Sequence, residues 1–235
     1  MSDKNGVETS EYKNGIERAE YGGAAPQVQS HRAAYPKRRL ANPGPLGLFS
    51  FASTTLMLSL FNAQARGITT PNAVVGMALG VGGLAQLLAG MWEFACGNTF
   101  GATAFSSFGG FWLSYASIFV PGTGISAAYS TDPAAEQFSS ALGIYLTTWG
   151  IVTFLLLVAA TRRNIGLIAL FLFLTITFFL LGAGFFTGMV AVTKAGGYMG
   201  VITALIAYYV GLAELLIRDE SWFTLPLGQV SKRLD

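Results

Sequence analysis

Two polar side chains that can hydrogen-bond or carry a proton, Gln86 and Glu93, lie seven residues apart in a long apolar stretch. Seven residues make two turns of an α-helix, so both side chains project from one face. Hydrocarbon offers no partner to polar groups, which therefore usually face a bundle interior or a watery path. The pair predicts a polar track inside a bundle. The alternative for Glu93, as for Glu214 near the last apolar run, is a carboxylate in the headgroup zone of a membrane.

The segment Asn42–Leu48, with the sequence NPGPLGL, is a candidate helix start. Its two prolines lack a backbone N–H and disfavour helical geometry in the residue before them. The helix is expected to begin at or just after Pro45. The N–H groups of Leu46, Gly47 and Leu48 would then be free to bind an anion at the positive end of the helix dipole. The alternative is a simple stop signal between tail and helix.

A second helix start is expected in the segment Cys96–Gly101, which is long enough only for a tight turn. Asn98 or Thr99 suits the N-cap position of the helix that follows. If the two helix starts converge, they and the hydroxyl groups of Thr54 and Thr55 could hold a small carboxylate. The alternative is that the cap needs no ligand and that the hydroxyls bond their own helix backbone.

The elements that must position these residues are membrane helices. The 235-residue chain has a mean hydropathy of +0.52 and only 11% charged residues, against roughly 25% in soluble domains. A spanning helix needs about 20 mostly apolar residues. Six stretches qualify: Leu46–Gln64, Ala73–Ala95, Gly101–Val120, Phe138–Ala160, Ile165–Gly188 and Gly197–Ile217. The predicted fold is an all-α membrane protein with six transmembrane helices.

Basic residues fall mostly on one side of such a bundle. That side holds Lys37, Arg38, Arg39, Arg162, Arg163, Arg218, Lys232 and Arg233, and the other side holds Arg66 and Lys194. The positive-inside rule then places both termini in the cytoplasm. We expect a disordered cytoplasmic tail (1–41), a six-helix membrane domain (42–220) and a short cytoplasmic C-terminal tail (221–235).

An intramembrane enzyme is not predicted, because the apolar runs hold no histidine, no pair of aspartates and no serine beside a base. His31, the only histidine, lies in the polar tail. We predict no cofactor, no metal and no nucleic-acid partner. An aquaporin-like channel would use two Asn-Pro motifs on opposing half-helices, and this chain has one, at Asn42-Pro43.

Several motifs together resemble those of the acetate uptake transporter family. They are Asn42–Leu48, the pair Gln86 and Glu93, the run Gly97–Phe105 followed by Phe111-Trp112, and Gly143–Leu146 followed by Trp149-Gly150. The motifs occur in the family's order and spacing, and the resemblance covers residues 42 to about 220. The long polar tail is similar to that of the fungal branch.

The resemblance implies a six-helix protomer in a homo-hexamer of the plasma membrane. Each protomer would have its own pore for acetate and related small monocarboxylates, with proton-linked uptake. Within the same family, an ammonium exporter or a membrane sensor responding to ammonium or acid is the alternative function.

The resemblance also implies a hydrophobic constriction of Phe, Tyr and Leu, which falls on Phe51, Phe108 and Leu174. Phe108 departs from the family's tyrosine, so the constriction would be drier or the substrate preference altered. Gly44 stands where the family more often has alanine, a small change that should preserve the turn.

The full set of predicted pathway residues adds those that line the pore or bind substrate. They are Asn42, Leu46, Gly47, Thr54, Thr55, Gln86, Glu93, Asn98 and Thr99. Of these, Glu93 is the preferred candidate for support of the pore mouth, either by handling protons or by bonding a helix end.

Overall fold

The computed structural model describes residues 40–131 and 134–230, and six long helices account for most of them. The helices are α1 (Gly44–Asn62), α2 (Val74–Ala95), α3 (Thr99–Phe119), α4 (Ala134–Ala160), α5 (Ile165–Thr187) and α6 (Val190–Leu215). The described residues form no strand, only an isolated bridge between Asn164 and Gln229. The prediction of an all-helical fold with six long helices is confirmed. The proposed tail 1–39 and residues 231–235 lie outside the described residues.

Five of the six helices are long and apolar enough to cross a membrane by length and composition. The exception is α3, which is less apolar than the other five. Its 21 residues include three glycines, four serines and two threonines, which lower its hydropathy. At 1.5 Å per residue it is about 31 Å long, enough for a hydrocarbon core of about 30 Å. The serines and threonines of α3 are exposed or half-buried, whereas the residues that it contributes to the central cavity are apolar.

The helices form a ring. In this ring α1 packs between α6 and α2, α2 packs against α3, and α5 lies between α6 and α4, while α3 and α4 make few contacts. Glycines permit the closest approach: a Cβ on Gly197 of α6 would lie 2.8 Å from the backbone oxygen of Ser59 in α1. The ring encloses a central space, and every helix contributes side chains to it.

Four of the six helices begin earlier than the predicted spans, and the largest difference is in α6. Gly188 ends α5 with φ +66°, a left-handed conformation that glycine adopts without strain. The turn is therefore tight, and α6 begins at Val190 rather than Gly197. Lys194 consequently lies inside α6, not in a loop. At the other end of the molecule, α1 begins at Gly44, before Pro45.

A π-helical turn, Gly80–Ala85, interrupts α2 just before Gln86. The sequence did not predict this irregularity, which is a common feature of functional sites. Gly82 lies in the turn and touches two neighbouring helices. A Cβ at this position would be 2.7 Å from the Thr54 hydroxyl and 2.8 Å from the Trp112 ring. The turn thus sets how Gln86 and the residues after it face the centre of the ring.

Candidate functional site

A cavity of about 570 Å³ opens at the end of the ring where α1 begins and α6 ends. Its mouth carries charged and amide side chains from several elements: Glu93, Asn98, Arg162, Arg163, Glu214 and Gln229. Its inner part is lined mainly by apolar side chains, namely Leu48, Phe51, Ala104, Phe105, Phe108, Leu170 and Phe171, with Gln86 as the polar exception. The cavity is therefore charged at its mouth and mostly apolar at its inner end.

Five of the predicted pathway residues meet in this cavity: Phe51, Gln86, Glu93, Asn98 and Phe108. The other seven are not among its lining residues: Asn42, Leu46, Gly47, Thr54, Thr55, Thr99 and Leu174. Thr54 is fully buried and its hydroxyl donates to the Ser50 carbonyl at 3.0 Å. This is the backbone bond that the sequence left open as the alternative.

Glu93 supports the start of α3 through Asn98. The Asn98 amide donates from Nδ2 to Glu93 Oε2 at 2.8 Å, and Asn98 Oδ1 accepts from the Gly101 N–H at 3.2 Å. Asn98 is thus the N-cap, whereas Thr99 is exposed and has no part in it. Glu93 itself is only 3% exposed. A buried carboxylate at this place fixes the cap and, through it, the first turn of α3.

The start of α1 differs from the predicted anion site. Pro43 already has helical geometry, with φ −80° and ψ −12°, so the first turn closes one residue early. The Gly47 N–H donates to the Pro43 carbonyl at 3.1 Å, and the Gly44 N–H donates to Asn42 Oδ1 at 2.9 Å. The expectation that the Gly47 N–H is free is therefore wrong. The Leu46 side chain is 51% exposed and is not among those that line the cavity.

The Glu214 carboxylate lies against the first turn of α1. A Cβ on Gly44 would meet Glu214 Oε2. A negative charge is favourable at the positive end of a helix dipole. Gly44 thus gives room to a carboxylate of the protein itself, a contact between distant segments that no sequence pattern predicts.

Aromatic rings close the inner end of the cavity. The ring centroids of Phe51 and Phe108 are 5.4 Å apart, and Phe171 stacks on Phe108 at 6.4 Å. Leu174, the third member of the predicted constriction, is buried in the core one turn beyond Phe171. The cavity wall on α5 is therefore formed by Phe171 rather than by Leu174.

A second cavity of about 300 Å³ lies at the opposite end of the ring and includes Tyr115 in its wall. Phe108, in the wall of the first cavity, precedes Tyr115 by seven residues, or about 10 Å along α3. Phe111 fills the interval. Its ring lies 4.9–5.9 Å from five other aromatic rings, those of Trp112, Tyr115, Tyr145, Trp149 and Phe178. We call Phe111, Tyr145, Trp149 and Phe178 the aromatic layer, and it separates the two cavities.

Part of the cavity mouth is formed by residues that the sequence did not mark as pathway residues. Arg162 and Arg163 served only to orient the bundle, yet both line the cavity, and the Arg163 guanidinium lies 4.2 Å from the centroid of the Phe100 ring. Gln229 and Val230 also line it, because the segment 227–230 crosses the start of α5. The N–H groups of Ile165 and Gly166 donate to carbonyls of this segment at 2.9 and 3.2 Å. No sequence signal marks a segment that docks through backbone bonds.

Comparison with known proteins gives matches over most of the chain. The model of the GPR1/FUN34/yaaH family matches residues 24–232. Ammonia transport outward protein 2 of Saccharomyces cerevisiae is 50% identical over 199 residues, which cover 83% of this chain and 70% of that protein. Acetate permease A of Emericella nidulans is 45% identical over 199 residues, with coverage of 81% and 67%.

Bacterial proteins match over nearly their whole length. The succinate-acetate/proton symporter SatP of Escherichia coli is 36% identical over 192 residues, covering 81% of this chain and 97% of that protein. The solved structure of the bacterial acetate channel SatP superposes with a TM-score of 0.71 at 34% identity, covering 81% of this chain and all of that chain.

Proposed function

This chain belongs to the GPR1/FUN34/yaaH family, and from that premise we propose that it carries acetate and related small monocarboxylic acids across a membrane. Relatives named for acetate or succinate–acetate transport support the substrate class. The observation that carries the proposal is the pair of cavities at opposite ends of the helix ring, with the aromatic layer between them. The larger cavity has arginines at its mouth, which suit the carboxylate head of an acid, and apolar walls farther in, which suit its methyl group.

Uptake is proposed to be linked to protons. An anion that enters against an inside-negative potential of 100 mV loses about 2.3 kcal/mol per charge. Passage of the neutral acid, or of the anion together with a proton, cancels this cost. A carboxylic acid of this kind has a pKa on the order of 4, so the neutral fraction grows as the external pH falls. Uptake should therefore increase with external acidity.

The proposed orientation puts both termini and the larger cavity on the cytoplasmic side of the plasma membrane. The basic residues at the cavity mouth, Arg162 and Arg163, support it through the positive-inside rule. Assembly as a homo-hexamer is part of the same proposal. One face of α2 exposes apolar side chains that lipid or a neighbouring protomer would cover, those of Leu84, Leu88, Met91 and Trp92. Native mass spectrometry of the detergent-solubilised protein tests the hexamer.

Ammonium export is the second candidate, because a relative that is 50% identical is named for outward ammonia transport. The carboxylates of Glu93 and Glu214 in the cavity could attract ammonium. In the same cavity, Arg162 and Arg163 would repel it, which favours the carboxylic acid.

The experiment is uptake of labelled acetate and of labelled methylammonium by vesicles that contain the purified full chain. The proposal expects saturable acetate uptake that excess propionate inhibits, compared with protein-free vesicles. Saturable methylammonium transport without acetate uptake would support the second candidate instead.

A further inference from the structure

The side-chain amide of Gln86 is buried and has no hydrogen-bond partner among the described residues. Its side chain is 1% exposed, and within residues 40–131 and 134–230 neither Oε1 nor Nε2 has a hydrogen-bond partner. A buried polar group without a partner costs about 1–3 kcal/mol. Gln86 is one of the residues that line the larger cavity, which makes a molecule bound there a candidate partner for both atoms. Such a molecule needs a donor and an acceptor side by side.

Packing places Gln86 close to the aromatic pair that ends the cavity. A Cβ on Gly109 of α3 would lie 2.8 Å from the Leu87 backbone in α2, so Phe108 and Gln86 stand at neighbouring levels. Helices α1 and α2 are antiparallel, and Gly82 of α2 lies against Thr54 of α1. Phe51, three residues before Thr54, therefore lies within about one helical turn of the level of Gln86. Gln86 is therefore the polar group at the narrow, apolar end of the cavity.

The charged groups stand away from this point. In the described part of the chain the cavity wall has four: Glu93 on α2, Glu214 on α6, and Arg162 and Arg163 between α4 and α5. Glu93 is two helical turns, about 10 Å, from Gln86 along α2. The lining residues of α1, α3 and α5 carry no charge. A carboxylate beside Gln86 would thus lose its hydration without a cation to replace it.

We propose that Gln86 binds the protonated carboxyl group of the transported acid and so selects the neutral form. The amide Nε2–H donates to the carbonyl oxygen of the acid, and Oε1 accepts from its O–H. A carboxylate has no donor for Oε1, and its second oxygen would face the lone pairs of that atom. The proposal rests on the proposed function and deepens it. The proton travels on the substrate, and no side chain need exchange it.

The test uses the full chain in vesicles with equal pH on both sides and no imposed voltage. Above the pKa of the acid, the neutral fraction falls about tenfold per pH unit. The apparent KM for total acetate should therefore rise about tenfold per unit, while the KM expressed as acetic acid stays constant. Acetamide, which has the same neighbouring acceptor and donor but never ionises, should compete with acetate at an inhibition constant that does not change with pH.

Gln86→Met keeps the length of the side chain and removes both hydrogen bonds. It should raise the KM for the neutral acid by about tenfold, as expected for two bonds of about 0.5–1.5 kcal/mol each, and abolish competition by acetamide. Gln137→Met is the matched control, because Gln137 is exposed on α4 and lines neither cavity. It should behave as the wild type.

Two results with wild-type protein would overturn the role of Gln86 even if no variant folds. One is a KM for total acetate that is constant from about pH 5 to about pH 7; the other is failure of acetamide to compete. Absence of any acetate flux in the wild type would overturn the proposed function itself, and with it this inference. The two failures are thus distinguishable.

Discussion

Replacement of Glu93 by glutamine distinguishes a structural role of this residue from proton handling. In the structure the carboxylate accepts from Asn98, which caps α3. A glutamine can also accept from Asn98, so it keeps the cap and loses only the charge assistance of one hydrogen bond, about 1 kcal/mol. We expect Glu93→Gln to fold, and to transport acetate at a rate within a few fold of the wild type.

Replacement by alanine should behave differently. Glu93→Ala leaves the Asn98 amide without its acceptor. Asn98→Ala removes the helix cap, which costs about 0.5–2 kcal/mol of stability. It also leaves the buried Glu93 carboxylate without a hydrogen-bond donor, which costs about 1–3 kcal/mol more. Each alanine variant should thus lose several kcal/mol, and each kcal/mol lowers the melting temperature by about 2–4 °C for a chain of this length. The double variant should lose less than the sum, because both act on one bond.

The assay pairs thermal unfolding in detergent with acetate uptake at equal protein abundance in the vesicles. A Glu93→Gln protein that is as stable as the wild type but transports nothing would refute the capping explanation and assign Glu93 to proton transfer. Additive losses in the two alanine variants would show that the bond between Glu93 and Asn98 contributes nothing.

Three further predictions follow from the packing around the cavities. Gly109→Ala should destabilise the protein by about 1–3 kcal/mol, because its Cβ meets the Leu87 backbone, whereas Gly110→Ala, with open space around it, should be neutral or stabilising; equal melting temperatures would contradict this. Phe108→Tyr places a hydroxyl in the constriction and should change the ratio of lactate to acetate uptake, so an unchanged ratio and rate would remove the hypothesis. Phe111→Ala removes the centre of the aromatic layer and should admit larger acids, seen as a higher ratio of benzoate to acetate uptake; an unchanged ratio would place the barrier elsewhere.

The elements that follow from local chemistry could be predicted from the sequence. The lengths of the apolar runs predicted six long helices. The seven-residue spacing predicted that Gln86 and Glu93 share one helix face, and both line the cavity. Cap chemistry predicted a helix start at Asn98 or Thr99, and the structure selects Asn98 because Glu93 holds it. These features depend on residues close together in the chain.

The remaining features depend on contacts between distant segments, which spacing does not encode. The first turn of α1 includes Pro43 in helical geometry, so the predicted free N–H of Gly47 is taken. Glu214 reaches that turn from the far end of the chain, and the segment 227–230 docks on α5 through backbone bonds. Neither contact has a periodic signature, and each shapes the mouth of the cavity.

Proton-linked acetate transport can be measured as labelled acetate uptake into vesicles that hold the full chain, with the pH gradient and the voltage varied separately. We expect an acidic exterior to drive accumulation of acetate, and voltage alone, at equal pH, to change the rate little because no net charge crosses. Uptake that follows the voltage and is insensitive to pH would show that the anion crosses alone, which is incompatible with proton-linked transport.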